Sequence, residues 1–184
     1  LEWHVRAHPD RVHIVYVGDS TETHISYRDL HRQVETVAAG LQRQGLEPRQ
    51  TVAIMLPTSP EYFHTYLGIL RAGGVPVPIY PPARMSQLEE HVRRHAGILS
   101  NADASILVTV PEARGVARLL EARVPALRRV VTVAELKEAK LGASVGSTSL
   151  IAAQEVIAPT QEVAVFNDNA DAVQERWNRW MLAR

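Results

Sequence analysis

Residues 51–80 read TVAIMLPTSPEYFHTYLGILRAGGVPVPIY. TVAIML is a continuous apolar run of strand length, the pattern of a strand buried on both faces. PTSP interrupts it, and Pro60 suits the first turn of a helix, where its missing N–H is not needed. EYFHTYLGILRAGG is apolar nearly all round, which predicts a deeply packed helix. VPVPIY is strand-like, but Pro76 and Pro78 stand two apart. Residues i and i+2 point their N–H groups to the same side, so both missing donors fall along one edge. The segment therefore belongs at a sheet edge or at a break in its ladder.

The same rhythm continues on both sides. Upstream, a short helix ends near Pro9. VHIVYVGD and THISY, with Gly18, Asp19 and Ser20 between them, predict a small hairpin. Ser26 followed by Asp29 resembles a capping box, with Asp in place of Glu or Gln. It opens a helix whose apolar positions Leu30, Val34, Val37, Ala38 and Leu41 fall on one face of a 3.6-residue period. Gly45 ends that helix, with Pro48 beyond. Downstream, residues 86–100 place Leu88, Val92, His95 and Leu99 on one helical face. SILVTV is a strand, and residues 111–122 are a helix with Pro111 at its start and Val116, Leu119 and Leu120 inward. RRVVTV is another strand. Strands alternating with helices over short connections indicate an α/β fold: a mostly parallel sheet flanked by helices, with a small N-terminal β-hairpin. The order repeats, but no internal sequence repeat and no coiled-coil heptad is present.

This regularity covers residues 1–139. Residues 140–162 are small, polar and apolar without period, and read as a linker. Residues 163–184 hold a strand-like VAVF and then DAVQERWNRWML, which sets Val173, Trp177, Trp180 and Met181 at helical spacing. An amphipathic helix over residues 170–182 is expected, buried either on the surface this chain would offer to the rest of a longer protein or, as the favoured alternative, on a second copy to give a homodimer through this tail.

Composition narrows the functional classes. The chain has 184 residues, 46% apolar and 22% charged, with twenty basic and twenty acidic side chains. A balanced charge argues against a nucleic-acid binder. The only lysines are Lys137 and Lys140. Without cysteine there is no disulfide, no thiolate nucleophile and no Cys-ligated zinc. No apolar run approaches the roughly 18 residues of a membrane span. LEWHVRAHPD is charged and His-rich, unlike a signal peptide, so a cytoplasmic protein is expected. The first residue is not methionine, which suits a fragment.

ISYRDLHRQVETVAAGLQRQGLEPRQTVAIMLPTSPEYFHTYLGILRAGGVPVPIYPP resembles the N-terminal part of adenylate-forming enzymes. The continuation ARMSQLEEHVRRHAGILSNADASILVTV is similar to that of fatty acyl-AMP ligases and long-chain acyl-CoA synthetases. Four segments in order carry the resemblance: the helix before Gly45, the strand at 52–56, LRAGGVPVPIYPP, and the helix and strand ending at Val110. It implies activation of a fatty acid with ATP and Mg²⁺ to an acyl-adenylate, then transfer to coenzyme A or an acyl carrier protein. In that family a Ser/Thr/Gly-rich phosphate loop ending in Pro-Lys-Gly follows a segment like APTQEVAVF. Here Phe166 is followed by NDNADAVQER, and the later adenine and ribose segments and the lid lysine do not occur in the chain. The expectation is a parent ligase whose activity this chain alone lacks, with no cofactor held by the chain itself. The alternative is a truncated, non-catalytic interaction module of the same fold.

Other residues invite a chemical reading. GASVGSTS at 142–149 has two glycines and four hydroxyls, but no strand leads into it and no lysine follows Lys140, so a linker is expected. His91 and His95 are four apart on a helix, as are His4 and His8, yet no third ligand lies near and no metal is expected. Tyr62, Phe63 and Tyr66 are candidates to line an acyl pocket, or are core. Arg93, Arg94, Arg114, Arg118, Arg128 and Arg129 are candidates for a phosphopantetheine or an acidic carrier protein. Interspersed Glu89, Glu90, Glu112 and Glu121 favour a solvated face. No G-x-G-x-x-G follows any strand, which argues against a dinucleotide site. No catalytic or substrate-binding residue is assigned from spacing.

Overall fold

The structure is a computed structural model that describes residues 1–18, 21–82 and 87–138, and the backbone of 142–144 and 164–166. The chain divides into two compact units, Leu1–Leu136 and Lys137–Arg184. The first opens with α1 (Glu2–Ala7) and the antiparallel pair β1 (Val12–Val17) and β2 (Glu22–Ser26). The Gly18 N–H donates to the Thr21 carbonyl at 2.8 Å to close the hairpin.

α2 (Tyr27–Arg43) begins at the predicted cap. The Asp29 N–H donates to Ser26 Oγ at 3.1 Å. The aspartate departs from the usual box: its carboxylate accepts a hydrogen bond from the Ser26 hydroxyl at 2.7 Å. The predicted stripe Leu30, Val34, Val37, Ala38 and Leu41 is buried. The helix gives way at Gly45, whose φ is 85°.

Next come β3 (Thr51–Met55), α3 (Pro60–Arg71), β4 (Val75–Ile79), α4 (Leu88–Asn101), β5 (Ala104–Thr109), a 3₁₀ turn at Pro111–Ala113, α5 (Arg114–Glu121), β6 (Arg129–Thr132) and α6 (Val133–Lys137). The four strands form a parallel sheet in the order β4–β3–β5–β6. β4 is the predicted edge strand, with Pro76 opposite Val52 and Pro78 opposite Ile54. One sheet face presents Val52, Ile54, Ile106, Val108 and Val131 to Val37 and Leu41 of α2, Ile69 of α3 and Leu136 of α6. The other presents Ala53, Met55 and Leu107 to Val92 and Leu99 of α4 and to Val116 and Leu120 of α5.

Three elements differ from the sequence expectation. α3 buries only His64, Thr65, Gly68 and Ile69, because α2 and the sheet cover one side of it, and Leu70 is exposed. Leu119 is 47% exposed: the inward stripe of α5 runs through Val116, Ala117 and Leu120, and Leu119 lies on its flank. RRVVTV leaves the sheet at Thr132 and turns into α6. The Thr132 N–H donates to a Glu135 carboxylate oxygen at 2.8 Å, and the Glu135 N–H donates to Thr132 Oγ1 at 3.3 Å. This is a reciprocal capping box.

In the second unit, β7 (Gly142–Ser144) pairs in parallel with β8 (Ala164–Phe166). β8 falls within the expected strand at 163–166, and β7 falls inside the stretch read as a linker. The expected tail helix at 170–182 lies outside the described residues.

α2 and α6 meet at Gly40. A Cβ there would run into the Leu136 carbonyl, which also accepts from Arg43 Nη2 at 3.2 Å. Alanine at position 40 gains up to about 1 kcal/mol of helix propensity, but overpacking a close backbone contact costs about 1–3 kcal/mol and loosens α6. Gly40→Ala should lower stability by about 1–2 kcal/mol in denaturant titration. An unchanged or higher midpoint would refute the close approach.

Candidate functional site

The chain steps from β3 out to β4, returns past β3 to β5, and continues to β6. α3 packs on one sheet face, and α4 and α5 pack on the other. The direction of winding therefore reverses between β3 and β5. Open α/β sheets bind ligands at the carboxyl ends of their strands beside such a reversal. The segment 56–59 after β3 and Val110 after β5 border that position.

The chemistry of this edge is hydroxylic. Thr109 is fully buried and its Oγ1 donates to the Met55 carbonyl at 3.2 Å, tying β5 to β3. Ser59 precedes α3 without using its side chain as a cap. One turn further in, Thr65 is fully buried, and its Oγ1 has no hydrogen-bond partner among the described residues. Of these three hydroxyls only that of Ser59 belongs to a partly exposed residue, and together they provide neither a nucleophile–base pair nor a cation for phosphate.

Of the GASVGSTS stretch, Gly142–Ser144 is strand β7, with Gly142 opposite Ala164 and Ser144 opposite Phe166. Successive N–H groups of a strand point to opposite sides, unlike the converging donors of a phosphate nest. Residues 145–149 lie outside the described residues.

His91 and His95 are brought together face to face, ring centroids 3.9 Å apart, with Tyr80 edge-on to both. His91 is 8% exposed and His95 is 0% exposed. His95 Nδ1 lies 2.8 Å from the His91 carbonyl oxygen, which can only accept, so Nδ1 carries a hydrogen and donates it in this hydrogen bond. Neither Nε2 has a hydrogen-bond partner among the described residues. Burial, and secondarily His95, push the His91 pKa below its ordinary value. His4 and His8 lie 6.3 Å apart, and His4 instead stacks on Tyr27 at 4.6 Å, with His13 also stacked on that ring at 4.5 Å. Among the described residues, no group of three or more His, Cys, Asp or Glu is placed to hold a metal ion.

Tyr62 meets Phe63 edge-on at 5.6 Å and Tyr66 at 6.3 Å, and Tyr62 and Tyr66 pack on the core. The six arginines are not gathered at one place. Arg114 pairs with Glu135 at 2.8 Å and joins α5 to α6. The Thr132 backbone N–H foremost, and then Arg114, hold the Glu135 carboxyl below its usual range. Arg93, Arg94, Arg118, Arg128 and Arg129 are exposed. Two features escaped the sequence reading. The Thr132–Glu135 box carries an overt T-x-x-E signal. The buried hydroxyl of Thr65 sits in an apolar helix and gives no signal.

A family model described as AMP-binding enzyme matches residues 1–174. The 2,3-dihydroxybenzoate-AMP ligase of Bacillus subtilis (strain 168) is 29% identical over 119 residues, 63% of this chain and 21% of that one. Triostin synthetase I of Streptomyces triostinicus is 34% identical over 97 residues, 53% of this chain and 18% of that one. A solved structure from a study of fatty acyl-adenylate ligases of E. coli and L. pneumophila superposes with a TM-score of 0.60 at 24% identity. It covers 64% of this chain and 21% of that one. The chain thus spans about a fifth of the length of these relatives.

The buried imidazole pair makes stability depend on pH. His91 is neutral in the fold and takes up a proton more readily when unfolded, so its contribution is full above the ordinary value of 6.5 and is lost as pH falls below it. Thermal unfolding should show a falling midpoint over that window. His91→Leu, which removes the titrating ring, should flatten the fall. A variant with the parent's pH dependence would overturn this assignment.

Proposed function

Since the chain belongs to the family of AMP-binding enzymes, we propose that it is the N-terminal part of a ligase that activates a fatty acid with ATP and Mg²⁺. The acyl-adenylate then passes to the thiol of coenzyme A or of an acyl carrier protein. The chain supplies the first parallel sheet and one wall of the crevice beyond β3 and β5. The fatty-acid preference rests on the resemblance of residues 83–110 to fatty acyl-AMP ligases, with the superposed fold as a second support. The relatives activating 2,3-dihydroxybenzoate or assembling triostin make aryl and amino acids the competing substrates.

One observation carries the expectation that this polypeptide is inactive alone. After β8 the chain reads NDNADAVQER, where the family has glycines, hydroxyls and a lysine. The segments 56–59, 110–112 and 133–134 contain no lysine or arginine, and residues 80–87 after β4 contain one arginine, Arg84. A triphosphate held there needs further cations from other parts of a ligase. Among the described residues, no helix is long and apolar enough to cross a membrane.

The 184-residue polypeptide should show no ATP–pyrophosphate exchange above a boiled control with any fatty acid. A longer polypeptide joining this chain to the phosphate loop and lid should show exchange with fatty acids. Exchange by the short chain would sink the scaffold reading, and exchange driven only by aryl or amino acids would sink the substrate class. A homodimer through residues 170–182 belongs to the same proposal. Trp177→Glu with Trp180→Glu should shift the light-scattering mass towards monomer or lower solubility, and an unchanged monomer of unchanged stability would remove it.

A further inference from the structure

The amino-terminal edge of the sheet, away from the crevice, carries a cavity of about 420 Å³. It opens where β3, β5 and β6 begin, and Arg49, Gln50, Asp103, Ser105 and Arg128 are among its lining residues. Among the described residues, two that are not glycine have a positive φ, Arg49 at 71° and Asp103 at 50°. Both line this cavity.

Asp103 has an ordinary reason. It follows the last turn of α4, donates its N–H to the Ser100 carbonyl at 3.2 Å, and is a residue type that tolerates the left-handed region. Arg49 has none. It stands third in the turn Glu47–Pro48–Arg49–Gln50, closed by the Gln50 N–H on the Glu47 carbonyl at 3.2 Å. A turn with proline second and a positive φ third is the place for glycine. The Arg49 N–H is held by the Gly73 carbonyl at 2.7 Å, so the strained backbone is pinned. The nearest carboxylate in sequence, Glu47, is engaged with the Gln50 amide at 3.4 Å. No ion pair joins Arg49, Arg128 or Asp103 to another described residue. The cavity therefore gathers two guanidinium groups and one carboxylate, Asp103, that form no ion pair with one another, and Arg49 is kept on a backbone that disfavours it.

We propose that this cavity binds a small solute bearing phosphate or carboxylate oxyanions, gripped by Arg49 and Arg128. Guanidinium forks suit both anions through paired N–H donors, and Asp103 favours a solute that also offers a hydroxyl or ammonium donor. The site lies across the sheet from the adenylation crevice and is independent of that chemistry.

The test uses the full chain, with inorganic phosphate and citrate as probes at constant ionic strength and potassium chloride as the control. Saturable amide shifts centred on Arg49, Asp103 and Arg128 are expected with at least one probe. Phosphate alone would indicate a phosphorylated solute, and citrate alone a polycarboxylate. Arg49→Gly relieves the turn, so its melting temperature should not fall, while its affinity should drop about tenfold or more. Arg128→Gln should weaken binding without unfolding. No saturation by either probe, saturation only at other residues, or full affinity in Arg49→Gly would each overturn the site.

Discussion

Two central strands must be dry on both sides, and the rest of the first unit follows from that. All six residues of β5 and Val52–Met55 of β3 are buried. Each large apolar side chain taken from water contributes about 1.5–3 kcal/mol before ordering costs. Leaving either face open would forfeit several such contributions at once. Helices are therefore required on both faces, and short right-handed connections can place them there only if the winding reverses. The reversal between β3 and β5 sets the position at the carboxyl ends where open α/β sheets bind ligands. That candidate position is thus a consequence of two-sided burial, before any catalytic residue is considered.

Covering the sheet also demands that helix backbones come close. Gly40 lets α2 approach the Leu136 carbonyl of α6, and Gly68 lets α3 approach Val37 of α2, where a Cβ would stand 2.7 Å from Cγ1. At this distance backbone groups at helix ends lose access to water and need internal partners. Arg43 reaches the Leu136 carbonyl, and Glu135 serves the Thr132 N–H while pairing with Arg114. Glu135 and Arg114 are held at the surface of the core, each 37% exposed at the side chain, so their value is geometric more than Coulombic.

The same distinction explains what could be read from the amino acids. β3, α2 and the edge placement of β4 were legible because each rests on a local rule: unbroken apolarity, helical period, or proline's missing donor. The depth of α3 was not legible, because Phe63, Leu67 and Leu70 are as apolar as core residues whether or not a neighbour covers them. Leu119 misled by spacing: it stands three residues after Val116, yet the stripe runs through Leu120. α6 was masked by the apolar run VVTV, although Thr132 and Glu135 announced it. At the candidate sites the limits were sharper. Pattern cannot report that His95 Nδ1 donates a hydrogen bond to the His91 carbonyl, nor that Arg49 has a positive φ where glycine fits.

The distribution of charge gives the two sheet edges different capacities. The carboxyl edge carries the hydroxyl side chains Thr58 and Ser59, and the segments leaving its strands contain a single cation, Arg84. Hydroxyls can fix the orientation of a nucleotide, but a triphosphate carries several negative charges whose desolvation costs far more than neutral hydrogen bonds return. Under the proposed function, the charges of a nucleotide at this edge are met mainly from other parts of the ligase. The amino edge differs, with Arg49, Arg128 and Asp103 around an open cavity and none of them in an ion pair with a described residue. The proposed crevice and the proposed anion cavity lie at opposite ends of the buried strands β3 and β5, so the two can be tested independently.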